Sequence, residues 1–245
     1  MKTKIERSKE LISLERRLFL RQGLSLGALA LLAGCNITDQ ESVQRILMNM
    51  SRWNDGVQHW LFNPNRLAPE FPESRITRPF PFNGYYPEDE VVEVDGESYK
   101  LELAGMIRDK KPWTLADLYA LPQVSQVTRH ICVEGWSAIG KWRGVRFSDF
   151  LARIGADTTA KYVGFKCADD YSTSIDMPTA LHPQTQLTFG FGDGLLPPEY
   201  GFPMKLRMPT KLGFKNPKHV TAIFVTNTYP GGYWEDQGYN WHSGS

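Results

Sequence analysis

At 245 residues, with 41% hydrophobic and 22% charged side chains, the sequence can bury one large core or two closely joined lobes, and its composition excludes an intrinsically disordered chain. The formal charge of +1 conceals an uneven distribution: residues 1–34 hold seven Lys/Arg and three Glu, leaving 21 basic against 24 acidic residues beyond them. A slightly acidic body carries no overall field for nucleic acid, so nucleic-acid binding is not expected.

The first 35 residues read as an address. Glu15-Arg16-Arg17-Leu18-Phe19-Leu20-Arg21 leads into the apolar run Leu24 to Gly34 and then Cys35. That run is shorter than the roughly 18–20 residues a bilayer-spanning helix needs, and it suits a signal-peptide core. The twin arginine resembles a twin-arginine (Tat) export signal, with Glu15 where Ser or Thr is usual, and Leu32-Ala33-Gly34-Cys35 resembles a lipoprotein processing box whose cysteine is acylated. A retained membrane-surface helix is the alternative. The expected division is a signal peptide over 1–35, a helical and extended segment over 36–80, and the main domain over 81–245.

From Asp39 to Phe62, Val43, Ile46, Leu47, Met50, Val57, Trp60 and Leu61 recur at helical spacing. One or two short helices are expected, broken near Asn54-Asp55-Gly56 and docked on the body by that stripe. His59 reads as a structural histidine. Residues 63–81 carry five prolines and suggest an extended segment along the surface or a groove. Val91 to Val94, a turn at Asp95-Gly96, and Lys100 to Ala104 alternate as a hairpin would. Thr114 is a good N-cap for a helix over Leu115 to Ala120. Past the middle of the chain, Ser148 is expected to cap a helix ending near Gly155. Strands are expected at Tyr162 to Cys167, Leu187 to Phe191, Met204 to Met208 and His219 to Thr226. Strands outnumber helices and interleave with them irregularly, which indicates an α+β fold.

The stretch Thr128-Arg129-His130-Ile131-Cys132-Val133-Glu134-Gly135-Trp136-Ser137 places one cysteine between a strand-like run and a glycine turn. A lone thiolate presented there suits a soft, high-valent metal. Zinc fits poorly, because no second ligand lies at zinc spacing. A buried cysteine packing as a small hydrophobe is the plain alternative. R-x-x-C-V-E-G-W-S, followed by Trp142-Arg143-Gly144, resembles the metal-ligand segment of the sulfite oxidase superfamily, especially its bacterial periplasmic branch of methionine-sulfoxide reductase catalytic subunits. The resemblance implies a mixed, strand-rich sulfite-oxidase-type molybdopterin-binding fold, with Cys132 as both the catalytic residue and the molybdenum ligand.

It also implies a set of cofactor-binding residues. Asn83, Tyr86 and Pro87 match an Asn-x-x-Tyr element that contacts the pterin. Cys167 falls where the related reductase has a pterin-contacting Thr, and a thiol is a weaker hydrogen-bonding group there. A Cys132 to Cys167 disulfide is the alternative for an oxidising compartment. Residues 205–218 hold five Lys/Arg and no acid. Alternation puts Lys205 and Arg207 on one strand face, and the turn at Gly213 lets backbone amides approach an anion such as a phosphate ester. By resemblance, Tyr200, Lys205, Asn216, Pro217 and Lys218 bind pterin and phosphate, Tyr200 replacing the usual Asn or His and Lys205 the usual Arg, which turns bidentate recognition into a point charge.

The expectation is therefore a periplasmic, lipid-anchored molybdopterin oxidoreductase transferring an oxygen atom to or from a small molecule or sulfoxide. With no haem-attachment motif and no iron–sulfur spacing, its electrons are expected to pass through another protein, a membrane b-type cytochrome. The chain end near Tyr239 to Ser243 leaves no dimerisation domain, so a monomer is expected. Sulfite oxidation and a non-catalytic export-anchored binding protein are the alternatives. Against sulfite, Val133-Glu134-Gly135-Trp136 stand where sulfite oxidases carry an arginine pair after the cysteine.

Overall fold

The computed structural model describes residues 41–61, 63 and 65–244; the expected export and processing signals, with Cys35, lie outside the described residues. The chain divides into two units, Met1–Met50 and Ser51–Ser245. The described part of the first is helical, the opening turns of α1 (Glu41–Leu61). The second holds two five-stranded sheets.

In the first sheet, β1 (Lys100–Gly105) lies between β2 (Trp113–Thr114) and β10 (Val220–Thr226), and β10 continues to β5 (Tyr162–Cys167) and β6 (Ser172–Asp176). Only β1 and β10 run parallel, Glu102 opposite Ala222 and Gly105 opposite Val225. The second sheet runs β3 (Val124–Ile131), β4 (Ser137–Arg146), β7 (Gln186–Phe191), β8 (Gly194–Leu195), with β9 (Lys205–Arg207) also pairing with β7. Three short helices connect them: α2 (Leu115–Tyr119), α3 (Phe147–Arg153) and α4 (Met177–Ala180). Few helices and mixed sheets make this an α+β fold.

Both sheets feed one core. Leu101, Val163, Phe165 and Ile223 from the first meet Val145, Leu187, Phe189 and Leu206 from the second, with Phe147, Phe150 and Leu151 of α3 packed among them. A smaller cluster of Phe80, Ala138, Trp142 and Leu196 lies apart from it. The proline-rich segment follows the free edge of β3: Glu70 bridges Thr128, and the Phe71 amide donates to the Val127 carbonyl at 2.9 Å. It thereby covers an edge that would otherwise invite pairing with another chain.

Local signals held where side chain and backbone act alone. Thr114 and Asp117 form a reciprocal capping box on α2, and β5 spans the expected residues. Three expectations give way to tertiary contacts. Helix α1 runs unbroken through Asn54-Asp55-Gly56, because Asp55 is tied to the His242 amide at 2.7 Å, and within the second unit its stripe is not docked: Trp53, Trp60 and Leu61 are exposed. The Asp95 carboxylate does close a turn on the amides of Glu97 and Ser98, but Val91 to Val94 form no strand, since β1 takes β2 and β10 as its neighbours. Ser148 lies inside α3; the helix starts one residue earlier, where the Phe147 amide donates to the Thr185 carbonyl at 2.8 Å. Among the described residues, no helix is long and apolar enough to cross a membrane.

Candidate active site

The loop joining β3 to β4 carries the cysteine. Its ends are fixed by the ladder, Ile131 opposite Ser137, and its interior by two hydrogen bonds, from the Cys132 amide to the Trp136 carbonyl at 2.9 Å and from the Gly135 amide to the Cys132 carbonyl at 3.2 Å. Gly135 has φ +92°, a conformation that a residue with a Cβ adopts only under strain. The turn holds Cys132 buried at the wall of a cleft. Asn83 Nδ2 approaches the sulfur at 3.4 Å. Glu134 Oε2 lies 3.7 Å from it and is held by the Trp136 indole N–H at 2.9 Å. Burial, with the Glu134 carboxylate adding to it, pushes the Cys132 thiol above its ordinary value. Cys132 and Cys167 are both free thiols, so the alternative disulfide is not formed.

The cleft gathers Asn83, Tyr86, Cys132, Asn216, Pro217 and Lys218 from three segments far apart in sequence. Lys218 Nζ donates to the Glu199 carbonyl at 2.8 Å and stands 4.4 Å over the Phe82 ring; burial lowers its pKa to about 8. The Asn216 side chain is engaged internally: its Oδ1 accepts from the Met208 amide at 2.6 Å and Arg207 Nη1 at 3.2 Å, while its Nδ2 donates to the Leu212 carbonyl. It shapes the Gly213 turn and leaves backbone and neighbours to face a ligand. Tyr86 donates to Asp169 Oδ2 at 3.1 Å.

Four expected residues do not line the cleft. Pro87 begins a 3-10 turn, Cys167 ends β5 in the main core, and the Tyr200 hydroxyl donates to the Phe80 carbonyl at 2.6 Å inside the small aromatic cluster. Lys205 is buried behind the cleft wall, its Nζ 5.1 Å over the Trp142 ring that Arg207 also faces. The Gly213 turn lines it as expected, and residues to which sequence reasoning gave no binding role line it too: Glu134, Asp169, Tyr171, Trp234 and Tyr239. His130 sits immediately behind Gly213, where an added Cβ would come within 2.7 Å of its Nε2. The signal was present in β3, whose inward positions Gln126, Thr128 and His130 are polar on a buried face.

The chain's electrostatics are incomplete without an anion. Lys205, Arg207 and Lys218 are all buried, and none forms an ion pair with a carboxylate among the described residues. Arg207 Nε and both ring nitrogens of His130 are buried without a hydrogen-bond partner. Burial foremost, then Arg207, Lys205 and Lys218, hold His130 well below the usual histidine range, so it is neutral. Desolvated cations and orphaned polar atoms in and behind one cleft wall are stabilised by a bound anionic group, and the thiol in the same cleft offers a soft metal ligand. The residues fit a phosphate-bearing pterin with its metal.

Residues 88–234 match the family described as oxidoreductase molybdopterin binding domain. The chain belongs to that family. It is similar to a protein from Azospira oryzae provisionally named protein-methionine-sulfoxide reductase subunit YedZ1, 69% identical over 230 residues that make up 94% of this chain and 88% of that one. Catalytic subunits named MsrP, protein-methionine-sulfoxide reductases from Ralstonia nicotianae and Burkholderia mallei, are 28% and 30% identical over 152 residues, 56% of this chain and 46% of theirs. The sulfane dehydrogenase SoxCD from Paracoccus pantotrophus shares the fold, with a TM-score of 0.53 at 20% identity over 56% of this chain and 40% of that one. As a molybdopterin-binding oxidoreductase the chain is an enzyme, and the non-catalytic alternative falls away. Its cleft reaches beyond the matched span at both ends, through Asn83 and Tyr86 on one side and Tyr239 on the other.

Proposed function

We propose that this molybdenum oxidoreductase reduces a sulfoxide, methionine sulfoxide above all, in the periplasm, where acylated Cys35 anchors it beside a membrane b-type cytochrome that supplies its electrons. The observation that carries the reading is the cleft around Cys132: one thiol, the Lys218 ammonium in the lining with Lys205 and Arg207 buried nearby, and the aromatic side chains of Tyr85, Tyr171, Phe214, Trp234 and Tyr239. Aromatic edges favour a thioether sulfur. Glu134 and Asp169 put two carboxylates in the same cleft, which disfavours sulfite, itself an anion.

Bound molybdopterin supplies a metal that changes by two electrons and accepts an oxygen atom, so that sulfoxide, two electrons and two protons give thioether and water. The protein's own part is positional. Cys132 Sγ would hold the metal, its loop locked by Gly135 and its sulfur approached by the Asn83 amide. The turn Asn216-Pro217-Lys218, which lines the cleft, would hold the phosphate, with buried Lys205 and Arg207 adding positive potential. His130 packs against the Gly213 backbone and would support that turn under the cofactor. The Tyr86 to Asp169 pair fixes the opposite wall.

Protein purified from a molybdopterin-competent host is expected to contain one molybdenum per chain and to turn over methionine sulfoxide with a reduced dye, but not to oxidise sulfite. Cys132→Ser is expected to abolish turnover and change the metal's electronic spectrum, because an alkoxide replaces a charge-donating thiolate. Sulfite turnover exceeding sulfoxide turnover would reverse the substrate assignment. For the anchor, wild type and Cys35→Ala should be equally active with dye while only wild type sustains quinone-coupled turnover; equal quinone-coupled rates would favour a soluble electron carrier.

A further inference from the structure

From Ser51 onward, helix α1 meets the rest of the second unit through its polar side. Asp55 Oδ1 accepts from the His242 amide at 2.7 Å, Gln58 Oε1 from the Gly244 amide at 3.4 Å, and His59 Nδ1 lies 2.8 Å from Asp176 Oδ2. At 3.6 residues per turn these three positions share one side of the helix. The opposite side carries Trp53, Val57, Trp60 and Leu61, of which Trp53 is 72% exposed, Trp60 81% and Leu61 66%. Ile46 and Met50 precede them at the spacing that continues the stripe, and both are exposed.

An amphipathic helix on a globular protein ordinarily turns its apolar stripe inward. Here the polar side is docked and the stripe faces out, an arrangement that marks an interaction surface. Its sequence also limits what the helix can do in a bilayer: Glu41, Arg45, Arg52 and Asp55 punctuate it, so it suits lying in the interface and not crossing it. Tryptophan is the side chain enriched at membrane–water boundaries, with an apolar ring and a polar N–H. The occupant follows from chain length. Five residues separate Cys35 from Glu41, six Cα–Cα steps or at most roughly 21 Å of extended chain. An acyl group on Cys35 therefore keeps the start of α1 within reach of the headgroups.

We propose that α1 is an in-plane membrane helix, seating Trp53, Trp60 and Leu61 at the boundary of headgroups and acyl chains. The tether in this inference rests on the lipid-anchor reading above, while the face rests on the geometry of α1. Because Asp55, Gln58 and His59 bind α1 to β6 and to the C-terminal segment, the helix fixes which side of the enzyme body looks toward the bilayer.

The test uses the full-length, cofactor-loaded protein processed by its host and returned to vesicles of phosphatidylethanolamine and phosphatidylglycerol brominated in their acyl chains. Bromine quenches only tryptophans that touch lipid. Wild-type fluorescence is expected to be quenched, and Trp53→Phe/Trp60→Phe should remove most of the quenched component while dye-coupled activity stays unchanged. Trp53→Glu/Trp60→Glu should lower partition of the helix into the vesicles at least tenfold, read as loss of quenching of an added Met50→Trp reporter. Mass of the mature chain reports acylation separately: quenched tryptophans on an unacylated, vesicle-bound protein keep the helix inference and remove the tether. Vesicle-bound protein whose quenching is indifferent to Trp53 and Trp60 overturns the inference, as does failure to bind vesicles, or a dimer in sedimentation that Trp53→Glu/Trp60→Glu dissociates.

Discussion

Lys218 offers a test in which stability and cofactor binding move in opposite directions. Its ammonium is desolvated in the cofactor-free protein, and the gap between the ordinary value of 10.5 and about 8 corresponds to about 3 kcal/mol of destabilisation at neutral pH. Lys218→Met removes that penalty and keeps a side chain of similar length over the Phe82 ring, at the loss of one hydrogen bond to the Glu199 carbonyl worth about 1 kcal/mol. Cofactor-free Lys218→Met is thus expected to be more stable than wild type by about 2 kcal/mol at pH 7, measured by urea denaturation. The sign with pH follows from linkage: the folded pKa is depressed, so the penalty is full below about 8 and fades as pH rises toward 10.5, where the variant loses its advantage. In the loaded enzyme the same charge opposes a phosphate, an interaction worth about 1.5–3 kcal/mol, and the variant should retain less molybdenum. A destabilised cofactor-free variant at pH 7, or full molybdenum content after dialysis, would refute the assignment of Lys218 to an anion site.

Two further substitutions probe the frame around the cleft. Glu235 accepts from Thr173 at 2.6 Å and from Lys215, both carboxylate and ammonium being buried; Glu235→Leu strands the lysine and should destabilise by about 3–5 kcal/mol, with Lys215→Met in the same chain restoring most of the loss in urea melts. Gly213→Ala drives a Cβ to 2.7 Å from His130 Nε2 and 3.0 Å from Cε1, so about 1–3 kcal/mol of stability and much of the bound molybdenum should be lost; a variant with wild-type denaturation and metal content would show that the turn has room.

The chain disclosed its chemistry more readily than its assembly. Cys132, Asn83, Tyr86 and the Asn216 to Lys218 turn were legible because each belongs to a short motif, and the fold brings all of them into one cleft. Lys205 was legible as a cation but not as a buried one, because alternation along a strand fixes the face and not what covers it. Helix α1 was legible as amphipathic; its direction of docking was not, since three long-range hydrogen bonds, to Asp176, His242 and Gly244, outweigh the apolar stripe. The pairing of β1 escaped for the same reason: its neighbour β10 lies more than 100 residues away, and a nearby turn at Asp95 pointed to a closer partner.

That parallel pairing of β1 with β10 also orders events in time. A ribosome delivers β1 and Cys132 early, and they wait for β9, the Asn216 turn and β10 before the first sheet or the cationic wall can close. Contacts of such long sequence separation form late, after most of the chain has left the exit tunnel. The cleft draws its lining from both sides of that separation, Asn83 to Glu134 on one and Asp169 to Tyr239 on the other, so the complete site exists only once the late-made segments are in place.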